Sequence, residues 1–118
     1  MLRSVKSTQR KIRQLELIIK EASGALTVEG PAKRQVASIA QSSGVISIEL
    51  KEKFKQEPVM VAISSKADSK VLATSSGKLG GSGADKLQIT HVTGTSAADL
   101  DEAQIHLLIV GSDTEETY

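Results

Sequence analysis

The sequence predicts a mainly β protein: a small antiparallel β-sandwich or jelly roll preceded by an N-terminal α-helix. Apolar residues recur every seven positions through the first 22 residues, and every second position through most of the remainder. The length of 118 residues is that of one ordinary domain. We therefore expect four segments: a helix at 1–23, a connector at 24–33, the sandwich at 34–112 and an acidic, solvated tail at 113–118.

The predicted helix comes first because neither Gly nor Pro occurs before residue 24. Its apolar residues are spaced as the a and d positions of a coiled coil, and Ile at a positions favours three strands over two. An isolated helix of this length is marginal in water, so partner copies would have to stabilise it. An amphipathic helix lying on its own domain is the alternative. The predicted oligomerisation seam consists of Val5, Ile12, Leu15 and Ile19.

Strand patterns follow the helix. Gly24 and the pair Gly30-Pro31 mark the connector, which contains one short candidate strand at 25–29. Turn residues such as Ser, Gly, Pro and Asp separate the later segments at the regular spacing of a sandwich. Alternation predicts strands at 46–50, 59–64, 87–92 and 105–110, and weaker patterns at 34–40 and 71–74 bring the total to six or seven.

The last predicted strand differs from the others because it is apolar on both faces after His106. A strand of this kind lies either in the centre of a sheet or at a subunit interface. We favour the interface, because a sandwich with only 2% aromatic residues has a poor core and gains from burial between copies. Leu108 and Val110 are therefore predicted to form an intersubunit surface.

A glycine-rich stretch runs from residue 77 to residue 83. It is not a P-loop, because Leu79 and a predicted strand follow Lys78 where that motif has Ser or Thr opening a helix. A flexible hairpin tip that reaches a neighbour or a receptor is the favoured interpretation. The candidate ligand-contacting residues are Gly77, Lys78, Gly80, Gly81 and Gly83.

Candidate catalytic and metal sites are weak. The chain has no Cys, which excludes thiolate chemistry and disulfides. His91 and His106 lie on separate predicted strands that could share one sheet, and the cluster from Asp99 to Glu102 lacks the further ligands of a calcium loop. We expect no catalytic residue, no metal, no cofactor and no enzymatic activity.

A basic heptad helix, a β domain rich in Ser, Gly and Ala, and an acidic tail together resemble the short structural proteins of tailed-bacteriophage virions. Capsid decoration proteins and fibre or spike bases are examples. The resemblance transfers no functional residue, but it implies a non-enzymatic homotrimer that contacts other virion proteins. The expected location is the virion or the cytoplasm, since neither a secretory signal nor a membrane-spanning run is present in the sequence.

Two further hypotheses remain open. The phrase from Phe54 through Pro58 to Val61 resembles a segment of fibre-tip and H-type lectin sandwiches, which implies a carbohydrate- or receptor-binding module. The basic residues of the first segment would instead suit a nucleic-acid-binding accessory protein. Nucleic acid is the less favoured partner because no stacking aromatic accompanies these charges. They are Arg3, Lys6, Arg10, Lys11, Arg13 and Lys20.

Overall fold

The computed structural model describes residues 12–66, 69–74, 79–93, 96–100 and 103–113, with backbone alone for 69 and 71–74. These residues form nine strands and two short 3₁₀ turns, at Lys33–Gln35 and Gly83–Asp85. The strands are β1 (Ile12–Ala22), β2 (Ala25–Glu29), β3 (Val36–Ser42), β4 (Val45–Leu50), β5 (Val59–Ser64), β6 (Ser69–Thr74), β7 (Leu87–Thr93), β8 (Ser96–Ala97) and β9 (Gln104–Ser112).

The strands form two antiparallel sheets that pack face to face. Sheet A has the order β2-β1-β9-β5, and sheet B has the order β3-β4-β7-β6, with the short β8 paired to the end of β7. Every strand predicted by alternation is present, which confirms the prediction of a mainly β, sandwich-like fold. Each sheet buries one face against the other and leaves its second face outward.

The core between the sheets is almost entirely aliphatic. Strands β4, β7 and β9 each contribute every second residue, in agreement with their period-2 patterns. Among the described residues, Phe54 is the single Phe, Tyr or Trp side chain, and it is fully buried in this core. The fully buried aliphatic residues include Ile19, Ile46, Ile48, Leu87, Ile89, Ile105 and Ile109.

The predicted helix is wrong for residues 12–22, which form the central strand β1, and residues 1–11 lie outside the described residues. Three apolar residues at period 2, Leu15, Leu17 and Ile19, point into the core. Leu15 and Ile19 therefore pack within one chain rather than along a coiled-coil seam. Ile12 points to the opposite side and is 61% exposed. Burial against sheet B outweighs the intrinsic helix preference of this segment.

The domain boundaries also differ from the prediction. The sandwich begins at Ile12 rather than at residue 34, because β1 and β2 belong to sheet A. The predicted connector contains β2 and the turn that follows it. Asp113, the first residue of the predicted tail, belongs to the folded domain, because it is half-buried and binds Arg13. Residues 114–118 lie outside the described residues.

Arg13 links the start of β1 to the end of β9 and to the loop between β4 and β5. Its guanidinium carbon lies 4.1 Å from the centre of the Phe54 ring, and its Nη1 donates to the carbonyl of Glu52 at 2.8 Å. Nη2 donates to Oδ1 of Asp113 at 3.1 Å, while Nε lies 2.9 Å from Oδ2 without hydrogen-bond geometry. Only 14% of the Arg13 side chain is exposed, so solvent screens this ion pair weakly.

Replacement of Arg13 with Met is expected to lower the free energy of unfolding by about 1–3 kcal/mol, because Asp113 and the Glu52 carbonyl lose a charged partner. Urea denaturation measures the change. The control is Arg34→Met at an exposed position, which should change stability by less than about 0.5 kcal/mol. Equal effects of the two substitutions would show that the Arg13 contacts are energetically neutral.

Candidate interaction face

The outward side of sheet A, called here the outer face of sheet A, is the strongest candidate site. Its residues alternate along each strand with those of the core. Antiparallel pairing places Val59 beside Val110, and Val61 beside Leu108. The face comprises Ile12, Gln14, Glu16, Ile18 and Lys20 of β1, Thr27 and Glu29 of β2, Val59, Val61 and Ile63 of β5, and Gln104, His106, Leu108 and Val110 of β9.

Strand β5 gives the face its apolar character. Val59, Val61 and Ile63 are 65%, 57% and 64% exposed, and the strand contains no charged residue. It is also an edge strand of sheet A, and proteins usually place Lys, Pro or a bulge on edge strands to prevent association with the strands of other chains. Exposed large aliphatic side chains on such a strand make it a candidate interaction surface.

A groove crosses the middle of the face. Ile18, His106 and Leu108 lie along it, Pro31 lines it from the loop after β2, and Val61 and Ile63 line it from β5. Its volume is about 330 Å³, and most of its surface is apolar. The turn after β2 is fixed beside β1 because Ala32 N–H donates to the carbonyl of Glu16 at 3.1 Å. The groove is therefore built from the fold and not from a loose loop.

The structure separates the predicted oligomerisation residues into two groups. Leu108 and Val110 lie on the outer face of sheet A, half-buried, and Ile12 lies on the same face. Leu15 and Ile19 are in the core, and Val5 lies outside the described residues. The residues that the sequence prediction missed are Val59, Val61 and Ile63. The missed signal is that residues 59–63 are apolar on both faces, as residues 107–110 are.

The glycine-rich loop is partly described. Gly77 and Lys78 lie outside the described residues. The amides of Leu79, Gly80 and Gly81 all donate to the carbonyl of Asp85, at 3.1, 2.7 and 3.1 Å. These three amides therefore already have a backbone acceptor, and Gly80 packs against Leu50. Gly83 has positive φ and open space around its Cα, and the ligand role predicted for the loop stays a prediction.

The two histidines do not meet, because β7 and β9 belong to different sheets. His91 is buried, and its Nδ1 donates to the carbonyl of Ala98 at 2.6 Å. Asp99 accepts the Gly44 amide at 2.7 Å, so its carboxylate holds the β3–β4 turn. In the part of the chain that the structure describes, no three His, Asp or Glu side chains are grouped to hold a metal ion.

The basic residues of the first segment are also separated. The Arg13 guanidinium is engaged by Asp113 and by the Phe54 ring, so it is not presented to phosphates. Lys20 lies on the outer face of sheet A, and the other four lie outside the described residues. Phe54 and Pro58 of the lectin-like phrase are both buried and face Gly111, so they contribute to packing.

No family model matches the chain, and comparison with curated proteins and with solved structures finds no significant match. Among the described residues, no helix is long and apolar enough to cross a membrane.

Proposed function

We propose that this protein is a non-enzymatic structural protein that assembles with further copies of itself through the outer face of sheet A. The observation that carries the proposal is the exposure of Val59, Val61 and Ile63 on an uncharged terminal strand. These side chains continue into Leu108 and Val110 of the neighbouring strand. Burial of such a surface in an assembly removes apolar area from contact with water and stabilises both copies.

The outward side of sheet B provides an internal comparison. Besides Val45 and Val92, it carries Ser38, Ser47, Glu49, Gln88 and Thr90, and this mostly polar composition is typical of a solvated sheet face. The two sheets share one core, but Val45 and Val92 of sheet B are half-buried. Among the described residues, the exposed large aliphatic side chains all lie on the outward side of sheet A: Ile12, Val59, Val61 and Ile63. This difference supports a specific role for the outer face of sheet A rather than a general excess of apolar residues.

A second copy of this chain is the occupant that fits. The four strands of sheet A are five to eleven residues long and about 4.8 Å apart, which gives a face of roughly 500 Å². Two such faces bury roughly 1,000 Å² in total, the lower bound for a specific interface. Glu16 and Lys20 flank Ile18 on the same side of β1. A copy related by a two-fold axis presents the same two charges in reverse order, so opposite charges can face each other.

The virion remains the proposed setting, supported by the resemblance to short phage structural proteins and by the small β domain. The helical part of that resemblance is lost for residues 12–22. The trimer predicted from the helical seam loses the same support, and the mass of the assembly decides between two and three copies. In a virion, the face would join neighbouring copies of this chain.

Val61→Asp tests the proposal, because it places a carboxylate among the exposed apolar side chains of β5 on the outer face of sheet A. We expect the wild-type chain to sediment as an oligomer at micromolar concentration, and the variant to have a dissociation constant raised by more than about tenfold. The matched control is Ser47→Asp on the outward side of sheet B, which should leave the mass unchanged. A wild-type monomer at all concentrations, or an unchanged mass for Val61→Asp, would contradict self-assembly through this face.

A further inference from the structure

His106 occupies the middle of the outer face of sheet A. It is exposed, and antiparallel pairing sets it between Ile18 on β1 and Ile63 on β5. It also lines the groove, together with Leu108, the next outward residue of its own strand. Any copy that covers the apolar side chains of this face must therefore cover the imidazole as well.

Charged groups of both signs lie near His106 on the outer face of sheet A. On β1, Glu16 and Lys20 lie diagonally across from it, one on each side of Ile18. The β5 positions that face it, Val61 and Ile63, are uncharged, as is Pro31 of the loop beside the groove. Its own strand contributes the uncharged outward neighbours Gln104 and Leu108. A positive imidazole covered by a second copy would thus have one carboxylate and one ammonium group nearby, whose effects oppose each other.

We propose that assembly through this face is acid-sensitive and that His106 is the group responsible. The inference rests on the proposed function, since it concerns the same surface. Histidine changes its charge between about pH 5 and pH 8. Covering the face removes the imidazole from water, which penalises the charged form, so the neutral form assembles and the protonated form stays apart. Assembly is therefore strongest at the alkaline end of this range and weakens as the pH falls.

The dissociation constant of the full chain, measured by sedimentation at about pH 8 and about pH 5.5, tests the inference. We expect a rise of about tenfold or more on acidification. His106→Gln keeps a neutral side chain, so its dissociation constant should be that of the wild type at about pH 8 and should not change with pH. His106→Lys keeps a positive charge, so it should associate weakly at both values.

Two outcomes would overturn the inference. One is a wild-type dissociation constant that changes less than about threefold between the two pH values. The other is a His106→Gln variant that keeps the acid sensitivity, which would assign the effect to another group such as the buried His91. Circular dichroism at both pH values shows whether the sandwich stays folded. A wild-type chain that is monomeric even at about pH 8 would instead contradict the proposed function itself.

Discussion

Replacement of Gly44 with Ala is expected to lower the free energy of unfolding by about 3 kcal/mol or more. Gly44 has a φ of +84°, which costs an L side chain about 1 kcal/mol. A Cβ at this position would lie 2.7 Å from Ala98 N and 3.0 Å from the carbonyl oxygen of His91, both of them backbone atoms that cannot move independently. Relief of these contacts would disturb the bonds that Gly44 makes to His91 and Asp99.

Gly24 is a matched control for this substitution. The turns Ser23-Gly24 and Ser43-Gly44 have the same two residues, both with positive φ, between paired strands. This is the geometry of a type I′ hairpin. No atom lies within 4 Å of a Cβ placed on Gly24, so Gly24→Ala should lose only about 1 kcal/mol. Equal losses in urea denaturation would show that contacts around Gly44 do not contribute.

Replacement of Phe54 with Ala is expected to lower the free energy of unfolding by about 3–5 kcal/mol, because the large ring is fully buried. The substitution leaves a cavity and also removes the surface on which the Arg13 guanidinium stacks. Phe54→Leu should cost less, since most of the buried volume is retained. Thermal or urea unfolding measures the loss of stability, provided that each variant shows a full unfolding transition.

Gly111 makes the Phe54 prediction sharper. A Cβ on Gly111 would lie 2.6 Å from Cδ1 of Phe54, so Gly111→Ala alone should destabilise the protein by about 2 kcal/mol. In the Phe54→Ala background the contact with the ring is gone and only that with Cβ of Pro58, at 2.9 Å, remains, so the cost of the extra methyl group should fall. A double-mutant cycle measures this coupling. Additive effects would mean that the two residues do not share the packing site.

Local patterns predict the sandwich strands well, because alternation over six residues reports a half-buried strand directly. The helix prediction is wrong for Ile12 to Ala22 because the apolar residues of this segment satisfy the helical and the strand period at once. Leu15 and Ile19 fit a heptad, and Leu15, Leu17 and Ile19 fit a strand. Pairing with β9, about 90 residues away in the chain, decides between them, and no local pattern contains that partner.

The sequence predicts only part of the outer face of sheet A, because strand pairing again decides which residues belong to it. Leu108 and Val110 stand out because their strand is apolar on both sides. Val61 becomes part of the same surface only through the pairing of β5 with β9, and Ile12 only through that of β1 with β9. Which side of an apolar strand faces outward depends on the sheet that packs against it, and this is a tertiary property.

The pairing of β1 with β9 in the middle of sheet A has a consequence for folding. The hairpins of β1 with β2 and of β3 with β4 are local and can form as soon as their residues are available. Sheet A cannot close until Gln104–Ser112 has been synthesised, because β9 is the strand that joins β5 to the rest of the sheet. A chain with such distant contacts folds slowly. The uncharged β5 stays unpaired in sheet A, and accessible to other molecules, until β9 is available.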